Sequence, residues 1–384
     1  MENYSINVFS KKILSGKIKE KPEDFIVEEI TPNKKICSTN YSLFEIIKDS
    51  LPKEKKEQLH FTLVKKNWTT LRAISELSKR LRISRRRFGY AGTKDKRAIT
   101  SQRVSVWNVD IEKLKKIKMK DIILKNFEYS NKRISLGDLY GNRFTITIRN
   151  AKIKNLNKIN EALKEGVPNF FGPQRFGIQR HLNHLIGKQL LLGNFEGAAM
   201  ILVTNLGNED ATYSSARKFA ADNWGNWKEI LKILPKTLGI EAAIVNYLVT
   251  YPNDYANAIR KLPKKLRRMF IHAYQSWIFN KTLSEVITRK IDAEEIPLVG
   301  YETKLSGEVG EIIKKILKEE NIKLSDFKLK RMPELSESGS SRKTKVYVED
   351  FKILKRGKDF VKLRFALPKG VYATTVLSYL GVEI

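Results

Sequence analysis

The chain is poor in cysteine: its 384 residues contain one, Cys37. A single thiol excludes an intramolecular disulfide and any cysteine-cluster metal site, and it suits a reducing compartment. Histidine is also scarce, with four in all. His181 and His184 are spaced to share a helix face, but no third ligand lies near. A helix-surface or satisfied polar role is favoured over a metal site. Long apolar runs are missing. Gly197–Val203 and Ala242–Val249 are core-length pieces, well short of the roughly 20 residues a membrane span needs. The opening Met-Glu-Asn-Tyr-Ser-Ile-Asn lacks a cationic stretch followed by an apolar one, so no signal peptide is expected and a cytoplasmic location is. Acid is under-represented: 42 Asp and Glu face 73 Lys and Arg, a formal net charge of +31. The excess is spread over the whole chain and points to a polyanionic partner, most simply nucleic acid. The plain alternative is a lysine-rich solvated surface.

What is present is enough for two domains, with 41% hydrophobic residues to build their cores. The first part alternates strands and helices. Phe25–Ile30, Leu43–Ile47 and Leu59–Val64 read as strands. A helix starts near Thr69, with Leu71, Ile74, Leu77, Ser78 and Leu81 on its stripe. Gln102–Trp107 is a strand, and Asp138–Arg149 a turn leading into a strong one with Phe144, Ile146 and Ile148 on one face. From about residue 155 the period becomes helical: Asn155–Glu165, Leu182–Gly193, Phe195–Thr204, Tyr213–Trp224, and a long helix over Pro263–Arg289. Gly339–Lys345 is expected as an exposed, mobile basic loop. Strands return at Val346–Leu354 and Phe360–Leu367. A helix-rich segment between strand-rich ends predicts an α+β chain with an insertion in one catalytic domain.

The chemistry concentrates in Gly89-Tyr-Ala-Gly-Thr-Lys-Asp-Lys-Arg-Ala98. One carboxylate, Asp95, stands among Lys94, Lys96 and Arg97, after two glycines expected to allow a tight turn. Nearby cations favour the ionised form of such a group. The spacing excludes a phosphate-binding P-loop, which needs four residues between its glycines and Lys-Ser/Thr after the second. No Ser-His-Asp or His-Glu-x-x-His pattern stands out. What remains is a lone carboxylate acting as nucleophile or base. From this segment alone, a turn cap paired with a neighbouring lysine fits equally well.

Other segments add weight. Gly166-Val-Pro-Asn-Phe-Phe-Gly-Pro-Gln-Arg-Phe-Gly177 mixes aromatics, amides and Arg175, which suits stacking on unpaired bases or a buried aromatic turn. Gly141-Asn-Arg-Phe144 opens a strand with an amide beside an aromatic. The aromatics of His272–Asn280 read mostly as core. Lys17–Phe25 brings Lys21 just before the first strand.

Together these segments resemble the TruD family of pseudouridine synthases. The matching pieces run nearly end to end: Lys21–Glu29, Lys66-Asn-Trp-Thr-Thr70, Tyr90–Ala98, Gly141–Phe144, Asn169–Gly177, Ala273-Tyr-Gln-Ser-Trp277 and Phe365–Thr374. The length and basicity are closest to archaeal members. The resemblance implies a pseudouridine-synthase catalytic domain on a mixed, mainly antiparallel sheet, expected over residues 1–160 and 356–384. It also implies an inserted, helix-rich TRUD domain over 161–355. The implied activity is isomerisation of uridine to pseudouridine in tRNA at position 13 of the D arm, with position 35 of tRNA-Tyr precursors as a further target in some relatives. Asp95 becomes the catalytic aspartate, Phe144 a stacking ring for the uracil, Asn142 a hydrogen-bonding group near base or aspartate, and Lys21 a neighbour that keeps Asp95 ionised. Gln174, Arg175, Arg85, Arg86, Arg87, Lys94, Lys96 and Arg97 are expected at the RNA. No cofactor, metal or obligate protein partner is implied. The chain departs from many relatives at Pro173, where they carry an acid. A catalytically silent RNA-binding protein on the same scaffold is the alternative.

Overall fold

The computed structural model describes residues 6–177 and 179–383. The chain separates into two compact units. One comprises Ser10–Val167 and the part from Val346 onward; the other comprises residues 6–9 and Pro168–Lys345.

The first unit is α+β, built on a sheet whose described strands are β1 (Leu14–Lys17), β2 (Phe25–Ile30), β3 (Gln58–Lys66), β4 (Phe88–Tyr90), β5 (Ile99–Trp107), β6 (Ile122–Ser130), β7 (Gly141–Ile153), β8 (Glu349–Arg356) and β9 (Phe360–Pro368). The main path runs β8-β9-β7-β2-β5-β3-β6, with β1 on β7 and β4 on β5. β2 and β5 pair in parallel, and the other pairs are antiparallel. The alternation read from the sequence sets the register. Phe144 faces Val27 and Phe365, Ile146 faces Phe25 and Leu363, and Ile148 faces Val361. All eight are buried, and a one-residue slip would turn them to the opposite face. Further along the sheet, the helix Thr70–Leu81 lays Ala73, Ile74 and Leu77 on Leu59, Phe61, Leu63, Val104 and Val106. Leu71, expected on that stripe, is exposed. It lies one step of about 100° beyond the face that Thr70, Ala73, Ile74 and Leu77 define.

The expected strand at Leu43–Ile47 is instead a helix, Leu43–Ser50. Local capping outweighs β propensity here. The Ser42 hydroxyl accepts from Glu45 N–H at 3.3 Å, and the Glu45 carboxylate accepts from Ser42 N–H at 2.8 Å. The helix docks by its polar face. Glu45 pairs with the buried Lys125 at 3.1 Å, and Asp49 accepts the Asn126 and Phe127 N–H groups at 2.7 and 2.8 Å. Its leucine and phenylalanine point outward, Leu43 79% and Phe44 74% exposed.

The second unit is mostly helical. Phe195–Thr204 forms where the spacing predicts it, and Lys264–Thr288 runs 25 residues behind Pro263. The expected mobile loop near Gly339 is a strand, Ser340–Lys343, paired antiparallel with Glu295–Leu298. The helix Asn183–Leu191 crosses the long helix closely because Gly187 has no side chain. A Cβ there would run into the Phe270 carbonyl oxygen. Gly187→Ala should therefore lower stability by about 1–3 kcal/mol in denaturant unfolding, the usual cost of overpacking a tight contact.

Candidate active site

The segment carrying Asp95 is an irregular loop between β4 and β5, held from beneath by buried side chains. Gln102 of β5 donates its amide to Gly92 O at 2.9 Å. Thr70 donates its hydroxyl to Gln102 Oε1 at 2.8 Å and accepts Lys94 N–H at 3.0 Å. Lys65, at the end of β3, donates its ammonium to Trp68 O (2.6 Å), Asp95 O (2.9 Å) and Lys94 O (3.4 Å). The Lys94 ammonium turns inward to Glu29 of β2 at 2.7 Å, with both side chains buried. Neither glycine makes the expected tight turn: Gly89 is a strand residue packed on Ser105 and Ile134, and neither Gly89 nor Gly92 has a positive φ.

The Asp95 carboxylate itself is partly open to solvent and pairs with Lys19 at 3.0 Å. The ion-pair partner is thus Lys19, not the expected Lys21. Lys19 takes a left-handed turn, φ 58°, and its ammonium also lies 4.1 Å from the centre of the Phe25 ring. Phe25 meets Phe144 edge-on at 6.2 Å, and Phe144 lies 5.7 Å from Phe365. Asp95, Lys19, Phe25 and Phe144 therefore form one chain of contacts. Phe144 is only 7% exposed, so its margin alone is free to meet a base. Asn142 sits opposite Glu29 across the β2–β7 pair, and its buried side-chain oxygen has no hydrogen-bond partner. Lys21 contributes its backbone instead, donating N–H to Asp24 at 2.9 Å.

Asp24 anchors this entry to β2. Burial opposes its ionisation, but the Arg149 guanidinium (2.8 and 2.7 Å) and the Lys21 N–H outweigh burial and hold the carboxyl below its usual range.

The expected RNA contacts divide. Arg85, Arg86, Lys96 and Arg97 are exposed. Arg97 donates to Glu20 O at 3.4 Å. Lys94 is buried in its ion pair and turned away from solvent. Arg87 is tied to the Trp107 carbonyl at 2.9 Å and stacks on that indole, its charge spent within the fold. In the second unit Gln174 is exposed, and Arg175 lies 5.0 Å over the ring of Phe171. That loop is pinned by Asn280 of the long helix. The Asn280 amide exchanges two 2.9 Å hydrogen bonds with the Phe171 N–H and C=O, as a neighbouring strand would. His184 is buried between Phe176 and Trp277, and His181 precedes its helix with φ 51°. Among the described residues no cluster of three metal-ligating side chains occurs, and no helix is long and apolar enough to cross a membrane.

Sequence reasoning missed Lys19, Glu29, Lys65, Thr70 and Gln102 as parts of the site. Each lies inside or beside a segment that reads as ordinary strand or helix. For Glu29, Lys65 and Gln102 the signal was a charge or amide within a strand-like run, as for Lys65 after Phe61–Val64, and Lys19 and Thr70 carried none.

The first unit is thus a mixed sheet that presents a carboxylate on a braced loop, beside a cation and a row of aromatics. The profile of the family described as tRNA pseudouridine synthase D (TruD) matches residues 3–296 and 294–380. The chain is 40% identical over 341 residues to the "Probable tRNA pseudouridine synthase D" of Methanopyrus kandleri, covering 84% of this chain and 85% of that one. It is 39% identical to the "Probable tRNA pseudouridine synthase D 1" of Methanocaldococcus jannaschii, with 94% of each covered. The crystal structure of the "Putative tRNA pseudouridine synthase D (TruD)" from Methanosarcina mazei superposes with a TM-score of 0.75 at 34% identity, covering 98% of this chain and 96% of that one. The chain belongs to the tRNA pseudouridine synthase D family.

Two outcomes follow. Asn280→Leu keeps the bulk and strands a buried N–H and C=O, so it should cost about 1–3 kcal/mol for each group in denaturant unfolding. Asp24, with its lowered value, adds stability at neutral pH that is lost as pH falls through its folded value. In Arg149→Met, unfolding free energy measured from pH 6 down to pH 2 should lose less on acidification than the parent does.

Proposed function

We propose that this protein isomerises uridine to pseudouridine in tRNA at position 13 of the D arm, with Asp95 as the reacting group. The observation that carries this reading is the setting of Asp95: a carboxylate open to solvent on a loop braced at four backbone atoms, with one cation, Lys19, at 3.0 Å. The reaction breaks the C1′–N1 bond, turns the uracil and joins C1′ to C5. The C5 proton is lost and N1 gains one, so there is no net redox change. The carboxylate serves either by adding to C1′ or by taking the 2′ proton, and both roles need it fixed near the ribose. The target nucleotide leaves its stack to reach the loop. The unpartnered Asn142 oxygen suits an N–H of the uracil, and the margin of Phe144 suits its face. Lys19, at 3.0 Å from Asp95, stands where Lys21 was expected. The exposed Arg85, Arg86, Lys96 and Arg97 suit phosphates, with Gln174 and Arg175 as further RNA contacts from the second unit.

The test is nucleotide-resolution mapping of pseudouridine on unmodified tRNA transcripts with no added cofactor. Conversion should appear at position 13 and fall at least about 100-fold in Asp95→Ala, with RNA binding retained. Conversion elsewhere would replace the target. Binding without conversion would leave a silent RNA-binding protein. Arg85→Ala with Arg86→Ala should weaken tRNA binding and flatten its dependence on log salt by about 1–2.

A further inference from the structure

Lys65 is a buried cation beneath the Asp95 loop. It lies at the end of β3, between Thr100 of β5 and Ile122 of β6, and is 1% exposed. Its partners among the described residues are three carbonyl oxygens, those of Trp68, Lys94 and Asp95, and no carboxylate. Lys94, one residue before Asp95, has Glu29 in contact as its counter-ion, whereas among the described residues no carboxylate touches Lys65. A buried ammonium without an anion is costly, and an apolar side chain of similar length would be cheaper for stability alone.

We propose that Lys65 is a positioning residue for the reaction: its ammonium gathers the carbonyls on either side of the loop and so fixes the direction in which the Asp95 side chain leaves the backbone. This rests on the reading of Asp95 as the reacting group. The geometry is specific. Two of the three acceptors belong to Lys94 and Asp95 themselves, and the third, Trp68 O, belongs to the turn just before the helix that supplies Thr70. Three acceptors match the three N–H donors of a protonated lysine, and a neutral amine has only two. The Asp95 carboxyl and the Lys94 ammonium are the titratable groups whose charge acts on it; Thr100 and Ile122, opposite it on the flanking strands, do not titrate. Burial lowers Lys65 from 10.5 to about 8, against the attraction of Asp95 and with the repulsion of Lys94. As pH rises through that value the folded protein loses the proton, one hydrogen bond and the charge that holds the loop.

The experiment measures single-turnover conversion of saturating tRNA from pH 6 to 9.5, at a temperature below every variant's unfolding, for the full chain, Lys65→Met, Lys65→Gln and Asp95→Asn. The expected result is a parent rate that falls above about pH 8, and a Lys65→Met rate at least tenfold lower at pH 7 that lacks this alkaline limb, with tRNA affinity unchanged. Lys65→Gln should also lack the limb. If Asp95→Asn is inactive while the lysine variants keep the parent rate and limb, Lys65 has no positioning role. If Lys65→Met does not fold, Lys65→Gln and the parent decide: a limb kept in Lys65→Gln, or absent from the parent, overturns the proposal. If Asp95→Asn stays active, the reading of Asp95 fails first, and the role of Lys65 falls with it.

Discussion

The ion pair between Lys94 and Glu29 joins the Asp95 loop to the middle of the sheet. Glu29 belongs to β2, the strand between β7 and β5, and it also accepts the Arg103 N–H of β5 at 3.0 Å. One buried carboxylate thus neutralises the loop's inward cation and ties it to the strand that faces Asn142. Without that anion the buried Lys94 ammonium would be left uncompensated, at a cost in stability. The charge that Lys94 buries thus acts with the braces from Lys65, Thr70 and Gln102 to place Asp95.

The loop illustrates how a fold handles crowded cations. Lys19, Lys65, Lys94, Lys96 and Arg97 surround a single acid, and like charges repel. The structure separates them by depth. Lys96 and Arg97 stay in solvent, where repulsion is screened, while Lys94 is neutralised by Glu29. Lys19 is shared between Asp95 and the face of Phe25, and Lys65 is solvated by backbone carbonyls. Only the solvent-facing cations remain available to a polyanion.

Much of this was legible in the sequence. Alternation in Phe144, Ile146 and Ile148 marked the central strand, and helical spacing marked Phe195–Thr204 and Lys264–Thr288. The misreadings have a common cause. Leu43–Ser50 has a strand's composition but a helix's cap, and its apolar residues face outward because Glu45 and Asp49 make the contacts that dock it. Leu71 looked like core by spacing, but the choice of face belonged to the sheet beneath. The basic loop expected over 339–345 instead pairs as a strand with Glu295–Leu298, some 45 residues earlier in the chain, Glu295 lying against Lys343 at one end of the pair.

By itself the sequence determined the α+β character, the change of period near residue 155, and the identity of the one acid set in a basic loop. These are local properties, since periodicity and charge clustering need no partner to be read. Tertiary structure alone decided which cations serve which role. Lys19 rather than Lys21 meets Asp95, Lys94 turns inward, Arg87 bonds to Trp107, and Lys65 lies beneath the loop. The physical reason is that a lysine or arginine side chain reaches in any direction its surroundings allow. Its role is set by the nearest carboxylate, carbonyl or ring that folding brings within reach, from strands far apart in the chain.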